Sequence, residues 1–421
     1  MPIPLPSLTP QQQLEANAIA RYPTIIREPQ FNDVLYTSND LNGISENFLR
    51  DRKDYVLRKA NQTRQESAIK TRGPLRCARI AIVPHGPFAS THKMTIELYS
   101  LLNFPHTKRI FILSSYHAGG LTKIATPPTT VRGYRTILSD TPWPVDSELI
   151  TAWNVSGQCQ QVDVVQDRQE HGIEIPLLYL HKYFQLAMVN KNPELFPKLI
   201  PLFVGSCTPA EEESIAKDLL LPYMKDPETI IIISSDWIRW GAPEHTFYSH
   251  AALTPCPDKF NDPTELPQPW SFLGIAPAGI LRATEELSKE KGDLLPCHFR
   301  AGRRDDVNPQ FRQHVPNIMD SIMTEDWMLM SALTLQPDGG AIFRTVRRRL
   351  GLPSICGVHA IQAVLAAFPL AIQERRTVEG QNELIEKYSG RFAWLGHARD
   401  KTIVYADDHS LGWVCGFAIL F

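Results

Sequence analysis

Four residues far apart in the chain carry side chains able to hold a metal ion or move a proton: His85, His117, Asp236 and Cys356. The first three each lie just beyond a short apolar run. ARIAIV (78–83) leads into Pro84-His85-Gly86-Pro87. KRIFILS (108–114) leads into Ser115-Tyr116-His117-Ala118-Gly119-Gly120. TIIIISS (229–235) leads into Asp236-Trp237-Ile238-Arg239-Trp240. Two imidazoles and a carboxylate delivered this way could build a metal site or an acid/base site. Cys356 lies in SICGVHA, with Pro353 ahead and helical spacing behind, so it falls at or near a helix N-terminus. Amide N–H groups and the macrodipole favour a thiolate there, which suits both a soft metal and redox chemistry.

Taken singly, each residue has a blander reading. A histidine after a strand is commonly a hydrogen-bonded loop residue, a lone cysteine a small buried hydrophobe, and Asp236 a cap for the adjoining segment. The block Glu170-His171-Gly172-Ile173-Glu174 is polar between apolar flanks. Its default reading is a loop leading into a helix, with its charges in water. The alternative is support for the ligands or a proton relay.

The elements that must position these residues can be read from the same runs. The three runs above and 199–204 (LIPLFV) are continuous, bounded and rich in β-branched residues. That pattern predicts strands buried on both faces of a parallel sheet. Ligand crevices in such sheets lie outside the carboxyl ends of the strands, where residues distant in sequence converge. Thr208-Pro209-Ala210-Glu211 is a capping signature and predicts a helix to about Met224. Helical spacing recurs over 324–335 and 355–368, and 391–395, 402–406 and 413–421 read as strands. Strands separated by helices predict an α/β fold with a central, mostly parallel sheet flanked by helices.

Proline, 34 residues in all, concentrates at the start and between Thr254 and Pro316. The second stretch reads as a loop-rich insertion at about 254–313, with a short helix over 280–291. Residues 1–26 read as a flexible arm and 27–421 as one domain interrupted by that insertion. Arg344, Arg347, Arg348 and Arg349 read as a solvated helix face.

Composition excludes several classes of function. A net charge of −2 gives no broad attraction to nucleic acid or an anionic membrane. No apolar run approaches the roughly 20 residues a membrane span needs. Seven cysteines without a CxxC pair argue against a disulfide framework and a structural zinc module, and the N-terminus lacks a secretory pattern. The expected location is the cytoplasm, with the nucleus as a further one.

Together the blocks resemble the Memo family. PHGPFAS looks like its Pro-His-Ala-Gly motif, KRIFILSSYHAGG its strand and His-rich loop, and EHGIEIPLLYL its Glu-His-Ser-Ile-Glu block. PLFVG followed by SSDWIRWG is similar to its PVLVG and SSDFCHWG pair, and SICGVHAI to its TICGRHPI. REPQFNDVLYTS resembles the family's N-terminal segment. Order and spacing agree over about 27–248 and 314–421.

The resemblance implies an α/β fold related to the extradiol ring-cleaving dioxygenases. It implies iron or copper held by His85, His117 and Cys356, with Asp236, Glu170, His171 and Arg239 around them. It also implies a different role, as a non-catalytic module binding phosphorylated peptides or signalling proteins. The family's histidine three residues after the aspartate is Arg239 here. Arginine is no base near neutral pH, so ring cleavage is disfavoured, and the expected chemistry is that of a metal-dependent oxidoreductase. Asp236, His171 and Arg239 are the candidates for any catalytic part. Arg239 would alternatively hold an anion or pair with Asp236 or Asp163.

Overall fold

A computed structural model describes residues 6–20, 24–30, 78–102, 104–187, 195–240, 247–249, 295–297, 318–333, 339–349, 354–379, 392–400 and 410–419. The chain is a mixed α/β protein that divides into two compact units, one of Met1–Ser235, Gly357–Gly390 and Phe417–Phe421, the other of Asp236–Cys356 and Arg391–Gly416. The expected helix at 280–291, the strand at 402–406 and nearly all of the expected insertion lie outside the described residues.

The first unit begins with a capped helix, Pro10–Ile19, in the stretch expected to be an arm, followed by β1 (Ile25–Arg27). Its main sheet contains β2 (Ala78–Val83), β3 (Arg109–Ser115) and β4 (Ile124–Thr126). A hairpin of β5 (Val131–Thr136) and β6 (Ser139–Pro144) pairs with β1 in a small separate sheet. β7 (Gln160–Gln161), β8 (Lys198–Val204) and β9 (Thr229–Ser234) complete the main sheet, in the order β2-β9-β3-β8-β4-β7.

β2, β9, β3 and β8 are parallel neighbours. Nearly every residue in them is buried, which is why their sequences run apolar without alternation. Two helix groups flank the sheet. Phe88–Tyr99 packs on His171–Ala187, with the Phe88 and Tyr179 rings stacked 4.9 Å apart. Val358–Glu379 packs on the helical stretch 209–225.

Thr208 caps that stretch as its sequence dictates: its hydroxyl accepts from Glu211 N at 3.3 Å, and the Glu211 carboxylate accepts from Thr208 N at 2.8 Å. The helix reaches Lys225 through a π-turn, Ile215–Leu220. Pro222 has no N–H, and its ring would crowd the carbonyl four residues back. The ladder widens, and Leu221 N donates to Ala216 O.

In the second unit, β10 (Arg239–Trp240) runs antiparallel to a later strand, and β11 (Phe247–Ser249) pairs with β12 (Leu295–Cys297). β13 (Phe392–Arg399) pairs with β14 (Ser410–Ile419), the partner of β10. Helices Ile318–Leu333 and Gly339–Arg349 pack together and bury Leu329, Leu333, Phe343 and Val346. Within this core Asp326 Oδ2 accepts from His397 Nε2 and from Arg399 Nε, both at 2.8 Å.

Candidate metal centre

The register of the sheet explains how distant residues meet. Val83 lies opposite Ser234, and Ser234 opposite Ser114. The three strands therefore end within one residue of one another, and His85, Asp236 and His117 are each two residues past the last residue of their strand. Parallel strands put all three ends on one edge.

His85 is fully buried, and its Nδ1 is 2.9 Å from Ser234 Oγ. The His85 and His117 ring centres are 5.1 Å apart, edge to face. His171 completes a trio, 4.9 Å from His85 and stacked on His117 at 4.5 Å. The close approach requires glycine at 172, because a Cβ there would collide with Ser114 Oγ and reach within 3.5 Å of His85 Nδ1.

Glu170 is fully buried, against the default reading that its charge faces water. Its Oε2 is 2.7 Å from His117 Nδ1, and its Oε1 accepts from His117 N at 2.6 Å and Ala118 N at 3.1 Å. Burial is tolerable because both oxygens are satisfied. A carboxylate on one ring nitrogen of a histidine fixes the tautomer and presents the other nitrogen as a ligand.

Cys356 sits two residues before the helix Val358–Glu379 begins. The next residue fixes it: Gly357 N donates to Ser235 Oγ at 2.8 Å, and a Cβ at 357 would come within 2.6 Å of Ser235 Cβ. His359, three residues on, is engaged elsewhere, with its Nδ1 2.8 Å from Glu212 Oε1.

Among the described residues two groups of three could hold an ion: His85, His117 and Cys356, and His117, Glu170 and His171. Within each group the ligand atoms lie within 4.8 Å of one another. Bonds of about 2.0–2.3 Å hold the ligand atoms of one ion at most about 4.6 Å apart, just inside the 4.8 Å that bounds the first set, so that set approaches the spacing a single cation needs. In that set only His85 is buried; the His117 side chain is 25% exposed and Cys356 half-buried. The donor set fits a soft or borderline ion, since imidazole and thiolate suit iron, copper and zinc alike. In the second set the Glu170 oxygens already accept three hydrogen bonds, so Glu170 is better suited to hold His117 than to bind an ion itself.

Asp236, 2% exposed, belongs to neither group. Arg239 Nη2 is 4.0 Å from Asp236 Oδ2, the pairing with Asp236 anticipated from sequence but at the outer limit of an ion pair. Its side chain is 43% exposed, and its Nε makes no hydrogen bond. Two other thiols are poor reagents: burial pushes both Cys159 and Cys207 up to about 12.

Sequence reasoning missed Ser234, which holds His85, and named His171 as a supporting or catalytic candidate but not as a ring stacked on a candidate ligand. Gly172, in the first turn of the helix that follows Glu170, was the available signal for a close approach.

A row of parallel strand ends carrying two imidazoles, with a sulfur nearby, makes this an α/β protein with a His/His/Cys group that could hold a metal. The family model described as Memo-like protein matches residues 47–382, and the chain belongs to this family. Protein MEMO1 of Danio rerio is 30% identical over 175 residues, 41% of this chain and 55% of that protein. Protein MEMO1 of Homo sapiens is 30% identical over 166 residues, 39% of this chain and 52% of that one. Protein memo-1 homolog of Caenorhabditis elegans is 27% identical over 164 residues, 39% and 43% of the two chains. The chain spans about half the length of the curated relatives it matches. No described helix is long and apolar enough to cross a membrane.

Proposed function

We propose that this protein binds a redox-active iron or copper ion through His85, His117 and Cys356 and uses it for redox or oxygen-linked chemistry, in the cytoplasm or nucleus. The observation that carries the reading is the gathering of two imidazole nitrogens and one sulfur within 4.8 Å of one another. Their supports favour it. Ser234 occupies His85 Nδ1 and Glu170 occupies His117 Nδ1, which points to Nε2 as the ligand atom of each ring, that of His117 in exchange for its 3.3 Å contact with Ser115 Oγ. A bound iron or copper would supply electron transfer and an open coordination position. The chain supplies a thiolate in place of a third hard ligand, which favours the softer ions. Ring cleavage is not part of the proposal, because Arg239 stands where the acid/base histidine is expected and cannot take up a proton.

Metal analysis of protein purified without chelator tests the reading: about one iron or copper per chain is expected, with most of it lost in Cys356→Ser. Equal occupancy in the two proteins would remove Cys356 from the site.

A second reading rests on Arg239. A part-exposed guanidinium with a carboxylate only at 4.0 Å can turn its Nη groups to a phosphate, as on a phosphorylated peptide of a signalling protein. Binding of a phosphotyrosine peptide panel at micromolar concentration, abolished by Arg239→Ala, is the outcome this reading expects. Peptide binding unchanged by the substitution would rule it out.

A further inference from the structure

Glu170 is gripped from two directions, and one of them comes from a residue upstream of the stretch matched by the family model, 47–382. Arg27, the last residue of β1, is 3% exposed. Its Nε donates to the Asp167 carbonyl at 3.1 Å and its Nη2 to the Glu170 carbonyl at 2.8 Å. The carboxylates of Asp167 and Glu174 stand 3.7 and 3.4 Å from the guanidinium, and the Tyr134 ring centre lies 5.1 Å away. Those partners are themselves fixed. The Tyr134 hydroxyl donates to Asp167 Oδ1 at 2.6 Å, and Glu174 accepts from Gln30 N at 2.9 Å.

Arg27 thus spends its donors on carbonyls at a helix end, adding to the Glu170 N–H that the Asp167 carbonyl already accepts at 3.3 Å. The helix Val164–Gln169 stops there, and the next helix starts at His171. Glu170 is the single extended residue between them, at φ −92° and ψ 105°. Its carbonyl is held by Arg27 and its carboxylate by the N–H groups of His117 and Ala118. A main chain pinned on one side and a side chain pinned on the other leave the carboxylate one place to be.

We propose that Arg27 is a positioning residue for His117, acting through Glu170. By fixing the Glu170 main chain it sets the carboxylate that keeps the His117 proton on Nδ1 and turns Nε2 to the ion. The inference rests on His117 being a ligand, but its primary test needs no metal. Lysine cannot replace the arginine fully, because an ammonium lacks the planar fork that reaches two carbonyls at once.

The experiment is nitrogen NMR on the full-length, metal-free chain labelled at histidine, with Arg27→Gln and Arg27→Lys beside the unaltered protein. The unaltered protein is expected to show His117 protonated at Nδ1, with that proton slow to exchange. R27Q is expected to show a mixture of His117 tautomers, with His181 unchanged as an internal reference, and R27K an intermediate. With zinc as a redox-inert probe, affinity should drop about 10- to 100-fold in R27Q, the range seen when a ligand loses its supporting hydrogen bond, and less in R27K.

A folded R27Q with an unchanged His117 tautomer and zinc affinity within about twofold would overturn the proposal. That outcome with a lower melting temperature would make Arg27 merely structural. Should neither variant fold, the unaltered protein still decides, because His117 protonated at Nε2 alone is incompatible with the grip described. If the tautomer shifts in R27Q while the unaltered protein binds no zinc, the positioning role stands and the metal assignment falls.

Discussion

At the scale of single residues, the chemistry turns on which nitrogen of His117 carries the proton. Glu170 accepts with one oxygen from the ring and with the other from two backbone N–H groups. A glutamine there has one acceptor and one donor end. With its oxygen on the two backbone groups, its NH2 would face His117 Nδ1 and push the ring proton to Nε2. Glu170→Gln is therefore expected to fold and to lose about 10- to 100-fold in metal affinity by calorimetric titration. An affinity equal to that of the unaltered protein would show that His117 binds through another atom or not at all. His85, His117 and Cys356 stand out in the sequence because each sits at the end or start of a recognisable element. Ser234 and Gly172 do not, since a serine bracing a ring and a glycine yielding to a hydroxyl acquire meaning only once two strands and a helix meet.

At the scale of elements, the strands that carry the site were legible because burial on both faces leaves an unbroken apolar run. The hairpin β5–β6 was not. VRGYRT and SDTPWP mix glycine, proline and charge, and nothing in their pattern separates a small sheet from a loop. The helix His171–Ala187, whose start bears the site, holds a further titratable group inside the core. His181 Nδ1 lies 2.6 Å from Thr136 Oγ1, its Nε2 is buried without a partner, and Trp143 and Phe196 stand against its ring. Burial drives its pKa from 6.5 down to about 4. The unfolded chain then binds a proton that the folded chain refuses, so His181 costs nothing above pH 6.5. Its penalty grows as pH falls from 6.5 toward 4, to on the order of 3 kcal/mol. Urea unfolding at pH 7, 5.5 and 4.5 should show this loss, and His181→Leu should flatten the slope although it forfeits the Thr136 hydrogen bond. Equal slopes in the two proteins would mean that the ring titrates in the folded state.

At the scale of the whole molecule, an ion held only by the folded chain stabilises it by mass action. Free metal at about 100 times its dissociation constant should add about 2.7 kcal/mol to unfolding, visible as a rise in melting temperature that Cys356→Ser largely erases. Both compact units bury charge: the first holds Arg27 against Asp167 and Glu174 beside its aliphatic sheet, and the second holds Asp326 against Arg399 and His397. The nearly level ends of β2, β9 and β3 also bear on which changes of length the gene can survive. Extra residues in a surface turn leave those ends where they are. One codon lost from 109–115 would shift the rest of β3 by a single step and send every later side chain of the strand to the opposite face of the sheet. His117 would then be drawn back into the strand or turned away, so this protein should tolerate long additions far more readily than the smallest deletion.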